Sequence, residues 1–167
     1  MMRPVLFILF FCSSAMAADS TRTLKPDAAS FEAMGRGLLW SVNYDRTLID
    51  SMAVGLGFGT VGTKTATGGD GGTMAYLLPL YYNYYFMLTQ GSIYATAGVD
   101  FVINSGSVKN LGAATGNVDF PSYPVMPVFG AGYENRSASG FMFRFALYGI
   151  WGDGLDPWGG FSFGYCF

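Results

Sequence analysis

The all-β fold class that this sequence predicts is a closed, antiparallel, up-and-down transmembrane β-barrel of about eight strands. Three observations predict it. Bulky apolar side chains recur at every second position, in blocks of about 11 residues separated by turn-like stretches. Between them stand Gly, Ala, Ser and Asn with occasional Tyr, where the wetted face of a secreted sandwich would carry Lys, Glu, Thr and Arg. Charged residues make up only 12% of the 167 residues and are nearly absent from the blocks. A soluble domain carries about 25% charge, and a cation on a lipid-facing strand at mid-bilayer costs about 2 to 4 kcal/mol. The pattern therefore places an aliphatic and aromatic surface against lipid and small side chains in a narrow interior. Only a closed sheet satisfies every backbone group in hydrocarbon.

The elements follow in chain order. Met1 to Ala17 reads as a secretory signal peptide, with Arg3, the apolar run Val5 to Cys12 and a small-residue cleavage site at Ala15-Met16-Ala17. A lipoprotein signal with lipidation at Cys12 is the weaker alternative, because Phe10 and Phe11 stand where such signals have small residues. Residues 18–27 form an N-terminal periplasmic segment, and 28–167 the barrel. Seven alternating blocks are clear, and because bacterial single-chain barrels are even-stranded an eighth, less regular first strand is assigned to Ala28 to Met34, turning at Gly35 to Gly37. The clear blocks carry their bulky face on Leu38 to Tyr44, Met52 to Phe58, Tyr76 to Tyr84, Ile93 to Phe101, Tyr123 to Tyr133, Phe141 to Leu147 and Phe161 to Phe167.

Connections alternate in length. Arg46 to Asp50, Met87 to Gly91 and Glu134 to Ser139 are short, while Gly62 to Thr73 and Ile103 to Ser122 are long and Trp151 to Asp156 is moderate. Short turns mark the periplasmic side of such barrels. Most charged residues fall at these strand ends and connections or in the N-terminal stretch. Pro79, Pro124 and Pro127 lie within proposed strands, where each removes a ladder donor and calls for a bulge or an early strand boundary. Met74 to Leu88 is the longest nearly apolar stretch, but Pro79, Asn83 and five tyrosines make it a strand rather than a membrane helix.

Few residues offer chemistry. There is no histidine, which excludes imidazole acid/base catalysis, and with two cysteines there is no nitrogen and sulfur ligand set for zinc. No cofactor or metal is expected. Cys166 would be the single thiol of a mature chain, so no disulfide forms. Arg144, between Phe143 and Phe145, points inward by parity, and Asn43, Asp45 and Glu134 fall at nearby depth. A structural network of ions and hydrogen bonds is the favoured reading of these residues, with substrate binding or gating as the alternative. Asp100 is also inward, nearer the external end. Gly68 to Gly72 reads as an external loop, since neither the lysine of a phosphate loop nor the carboxylates of a calcium loop follow. Tyr81 to Tyr85 reads as interfacial anchoring rather than a stacking site. Basic patches for nucleic acid are absent.

The ending Pro157-Trp158-Gly159-Gly160-Phe161-Ser162-Phe163-Gly164-Tyr165-Cys166-Phe167 is similar to the C-terminal signature of bacterial outer-membrane barrels. With the stretch Phe31 to Arg46 it resembles a group of small uncharacterised outer-membrane β-barrel proteins of Gram-negative bacteria, of the eight-stranded OmpA/OmpX-like type. The resemblance covers most of the mature chain and carries no established activity. It implies that Phe163, Tyr165 and Phe167 form an assembly signal read by the barrel-assembly machinery. It also implies an outer-membrane location, contact with outer-membrane lipids and lipopolysaccharide, and a monomer.

Three function classes remain. A non-enzymatic barrel with a structural or surface-interaction role leads. A small channel or carrier for apolar molecules follows, supported by the glycine-rich strand Ala53 to Gly59 that would leave interior space. An outer-membrane lipid-modifying enzyme is disfavoured, because small barrels of that kind rely on histidine.

Overall fold

The computed structural model describes residues 21–62, 74–103, 124–151 and 154–167. A one-turn helix, α1 (Thr21–Leu24), precedes eight strands: β1 (Asp27–Met34), β2 (Trp40–Ile49), β3 (Met52–Gly62), β4 (Met74–Tyr85), β5 (Gly91–Ile103), β6 (Val125–Arg136), β7 (Phe141–Trp151) and β8 (Leu155–Cys166). Each strand pairs antiparallel with its sequence neighbours, and β8 returns to β1 with Ala28 opposite Cys166 and Phe31 opposite Phe163. The sheet is a closed eight-stranded antiparallel barrel. Closure removes every sheet edge, so no row of backbone donors and acceptors is left unpaired.

The strand interiors face the two sides as the alternation predicts. Val42, Leu56, Leu80, Ile93, Phe129, Phe145 and Leu147 project outward and are exposed, whereas Ser41, Asn43, Asn83, Thr96, Arg144 and Cys166 are buried inside. On the outside the aromatic rings touch one another from strand to strand, running Phe145, Phe161, Phe163, Phe31, Trp40, Phe58 and Tyr76 across the β7–β8–β1–β2–β3–β4 seam. Cross-strand aromatic contacts of this kind stabilise the sheet by roughly 0.2 to 1 kcal/mol per pair.

The irregular first strand is present where the sequence places it, beginning one residue earlier at Asp27. Three connections are tighter than expected. β2 runs through Arg46 to Ile49, with an irregularity in register at Thr47 and Ile49. β6 runs through Glu134 to Arg136, so those two charges belong to a strand and not to a turn, and β8 already begins at Leu155. The alternation continues through Glu134 and Arg136 because their side chains turn inward, where they find partners, while Arg46 faces outward and pairs with Asp27. Composition alone hides this, since a charged residue looks like a turn.

Each proline is accommodated differently. Pro124 sits just before β6, and its carbonyl accepts from Val102. Pro127 pairs with Val99 of β5 but precedes the first β6–β7 pair, Val128 with Ile150. Pro79 lies where the β3–β4 ladder lapses between the pairs Leu56–Leu80 and Gly59–Leu77, and the register resumes without a bulge. Expected block residue Tyr123 and the long connections lie outside the described residues.

Candidate functional site in the barrel lumen

The inward face is layered along the barrel axis. At the short-turn end, Glu134 of β6 stands directly opposite Arg144 of β7. Glu134 Oε1 accepts from Arg22 Nε at 3.1 Å and Arg136 Nε at 2.8 Å. Its Oε2 accepts from Arg144 Nε and from Tyr85 Oη, the latter at 2.8 Å. Arg144 extends from there to Asp45 of β2, Nη1 donating to Oδ2 at 2.9 Å. Arg136 Nη1 donates to Thr47 Oγ1, while Arg22 Nη1 donates to the carbonyls of Thr89 and Met87. The α1 helix thus seats Arg22 under the barrel, with its guanidinium 4.3 Å from the Tyr85 ring centroid.

A second layer surrounds Arg36. The β1–β2 connection Gly35–Gly37 folds into the barrel, and Gly35, Arg36, Gly37 and Leu38 are all buried. Arg36 Nη2 donates to Asn83 Oδ1 at 3.2 Å and Thr96 Oγ1 at 3.0 Å, and its guanidinium lies 3.6 Å from the Tyr81 ring centroid. Its backbone N–H donates to Glu32 Oε2, and Tyr148 Oη donates to Glu32 Oε1 at 2.8 Å. Asn83 joins the layers, because its Nδ2 also donates to Asp45 Oδ1. The inward turn needs unusual backbone: Gly35 has φ 77°, and Met34 and Leu38 flank it at φ 60° and 64°. A Cβ on Gly35 would meet Glu32 Cδ at 2.4 Å, so only glycine fits there.

The third, outermost layer is apolar, built from Leu38, Leu77, Val102, Met126, Val128 and Ile150, with Trp158 Nε1 donating to the Leu38 carbonyl. Asp100 is buried in it with Pro79 and Met126 as its cross-strand neighbours, and its Oδ2 has no hydrogen-bond partner.

Among the expected residues, Arg144, Asp45 and Glu134 come together. Asn43 does not reach Arg144. Its Nδ2 donates to Ser41 Oγ, which in turn donates to Glu32, so Asn43 belongs to the middle layer. Asp100 joins neither carboxylate. Tyr81 and Tyr85 are lumen residues rather than interfacial anchors, and only the alternate Tyr82 and Tyr84 face outward. The space expected at the glycines of β3 is occupied: a Cβ on Gly55 would fall 2.3 Å from the Tyr81 ring, and one on Gly57 would fall 2.1 Å from Asn43 Oδ1.

Arg22, Glu32, Arg36 and Arg136 escaped the sequence reading. Parity was the available signal for Glu32, between outward Phe31 and Ala33, and for Arg136, two residues beyond Glu134. None existed for Arg22 and Arg36, which lie outside the strands. Gly68 to Gly72 falls outside the described residues.

Eight charged side chains are buried among the described residues, Arg22, Arg36, Arg136 and Arg144 against Glu32, Asp45, Asp100 and Glu134. Formal charge balances over these eight side chains, though not within each layer. Phe163, Tyr165 and Phe167 point outward beside this network, in or just after the last strand.

No protein-family model matches the chain, and no curated protein sequence does. Among solved structures the barrel is similar to the N-terminal β-barrel domain of Pseudomonas aeruginosa OprF, at 18% sequence identity and a TM-score of 0.58, over 84% of this chain and 96% of that one. At that identity the likeness is one of fold.

Proposed function

We propose that this chain is a non-enzymatic, integral outer-membrane β-barrel with a structural or surface-interaction role, inserted as a monomer and contacting outer-membrane lipids and lipopolysaccharide. One observation carries the reading. The exposed face of the closed sheet is apolar, and the inside is filled by an ion and hydrogen-bond network that ties strands together. An eight-stranded barrel is just wide enough for its own side chains or one small ligand. The signal-like leader and the aromatic ending support export and insertion, with Phe163, Tyr165 and Phe167 as the features the barrel-assembly machinery reads. The likeness in fold to the OprF barrel domain is consistent with this class.

The second reading, a small channel or carrier for apolar molecules, has the apolar outer layer in its favour, because an oily mouth admits oily solutes. Bilayer recordings separate the two. A packed structural barrel gives no steps in planar bilayers, whereas steady single-channel steps favour the second reading. Fractionation of cells expressing the chain tests the location that both share: the protein is expected in the outer membrane, and recovery in the soluble periplasm ends both.

A further inference from the structure

We propose that the short-turn end of the lumen holds one small monovalent anion of the halide class, bridged by the guanidinium groups of Arg22 and Arg136. The charges there do not balance. Three buried cations, Arg22, Arg136 and Arg144, face two buried carboxylates, Glu134 and Asp45, and the compensating excess of negative charge sits at the other end, with Glu32 and Asp100 against Arg36 alone. An uncompensated buried charge is costly, so the inner end calls for a counterion.

The donors do not balance either. Arg22 Nη2 and Arg136 Nη2 are buried and have no hydrogen-bond partner. Glu134 cannot serve them. A carboxylate offers about four acceptor sites, and these are filled by Arg22, Arg136, Arg144 and Tyr85. Asp45 is engaged by Arg144 and Asn83, Thr47 by Arg136, and the Thr89 carbonyl by Arg22 Nη1. Both Nε atoms bond the same oxygen, Glu134 Oε1, at 3.1 Å and 2.8 Å, and the rigid guanidinium plane keeps each Nη2 close to its own Nε. Both unpartnered donors therefore belong to guanidinium groups anchored on one carboxylate oxygen, at the same end of the lumen. Two donors and one surplus positive charge match a compact monovalent anion, whereas a divalent oxyanion would need more donors than the site has. Water could satisfy the N–H groups but not the charge.

The inference rests on the packed-lumen reading, because a wet lumen would hand both N–H groups to bulk water. The experiment keeps the two apart. Crystals of the full chain refolded in detergent are grown with sodium bromide and measured at the bromine edge. One anomalous peak is expected within hydrogen-bond distance of Arg22 Nη2 and Arg136 Nη2. In solution, the urea midpoint is measured as chloride replaces acetate at constant ionic strength. It should rise and saturate for the native chain, and the half-saturating chloride should increase at least tenfold in Arg22→Gln. Absence of the peak in a barrel that does not conduct overturns the anion site while leaving the packed lumen standing. Conductance by the native chain overturns the packed lumen itself. An unchanged chloride response in Arg22→Gln overturns the assignment to Arg22, and if that variant does not fold the bromide map on the native chain decides alone.

Discussion

Arg144 is the side chain on which most of the inner layer depends. It donates to Glu134 of the adjacent strand and to Asp45 on β2, across the lumen, and Tyr85 Oη lies 3.4 Å from its Nη2. Replacing it by alanine would leave Asp45 with only the Asn83 amide, and removing one partner of a buried ion pair costs about 3 to 5 kcal/mol. Arg144→Ala is therefore expected to lower the urea midpoint clearly and to open a small conductance through the vacated lumen. An unchanged midpoint would show that water already solvates these carboxylates and would sink the packed lumen. That Arg144 turns inward was legible from its neighbours, because Phe143 and Phe145 must share the opposite face. That its partner on β2 is Asp45 rather than Asn43 was not. Both point inward two residues apart, and only the depth at which β2 and β7 cross the lumen selects between them.

At the scale of the element, β8 has two separable duties. Under the proposed function its outward aromatics carry an assembly signal, and its backbone completes the seam with β1. Phe167 contributes little to the finished seam. It exchanges a pair of backbone hydrogen bonds with Asp27, at 2.8 Å and 3.2 Å, while the pairs from Ala28–Cys166 to Met34–Gly160 continue the ladder without it. Those two bonds are worth about 0.5 to 1.5 kcal/mol each. Deleting Phe167 should then lower the amount of outer-membrane protein several-fold in cells while moving the urea midpoint of refolded barrel only slightly. Normal membrane levels would count against an assembly signal at this end. The β1–β2 turn shows the opposite balance of local and distant forces. Positive φ at Met34 and Leu38 costs of order 1 to 3 kcal/mol each, and the contacts of Arg36 and Leu38 inside the lumen hold the turn there. Its position as a turn was readable from Gly35 and Gly37, but its inward fold was not, since nothing local favours it.

For the whole molecule, closure and the filled lumen make unfolding cooperative. No strand can leave without breaking two ladders, and loss of β2, β6 or β7 also strands buried charges. The barrel is expected to survive dodecyl sulfate at room temperature, so that unheated and boiled samples migrate differently in electrophoresis. Identical mobility would mean that the sheet opens in detergent and that the network adds little. What the sequence by itself determined was the strands and their two faces, because a side-chain period of two is a local property and a one-residue slip would reverse every face at once. The outer face and the lumen carry opposite chemistry, so alternation, glycine content and charge exclusion were enough to read a closed barrel. The partners inside the lumen were decided only by tertiary structure. A side chain's depth depends on strand tilt and stagger accumulated around the closed sheet, and Arg22 and Arg36 enter from segments that follow neither period. Hence eight strands could be read along the chain, whereas the meeting of Arg22, Arg136 and Arg144 on Glu134 follows from closing them.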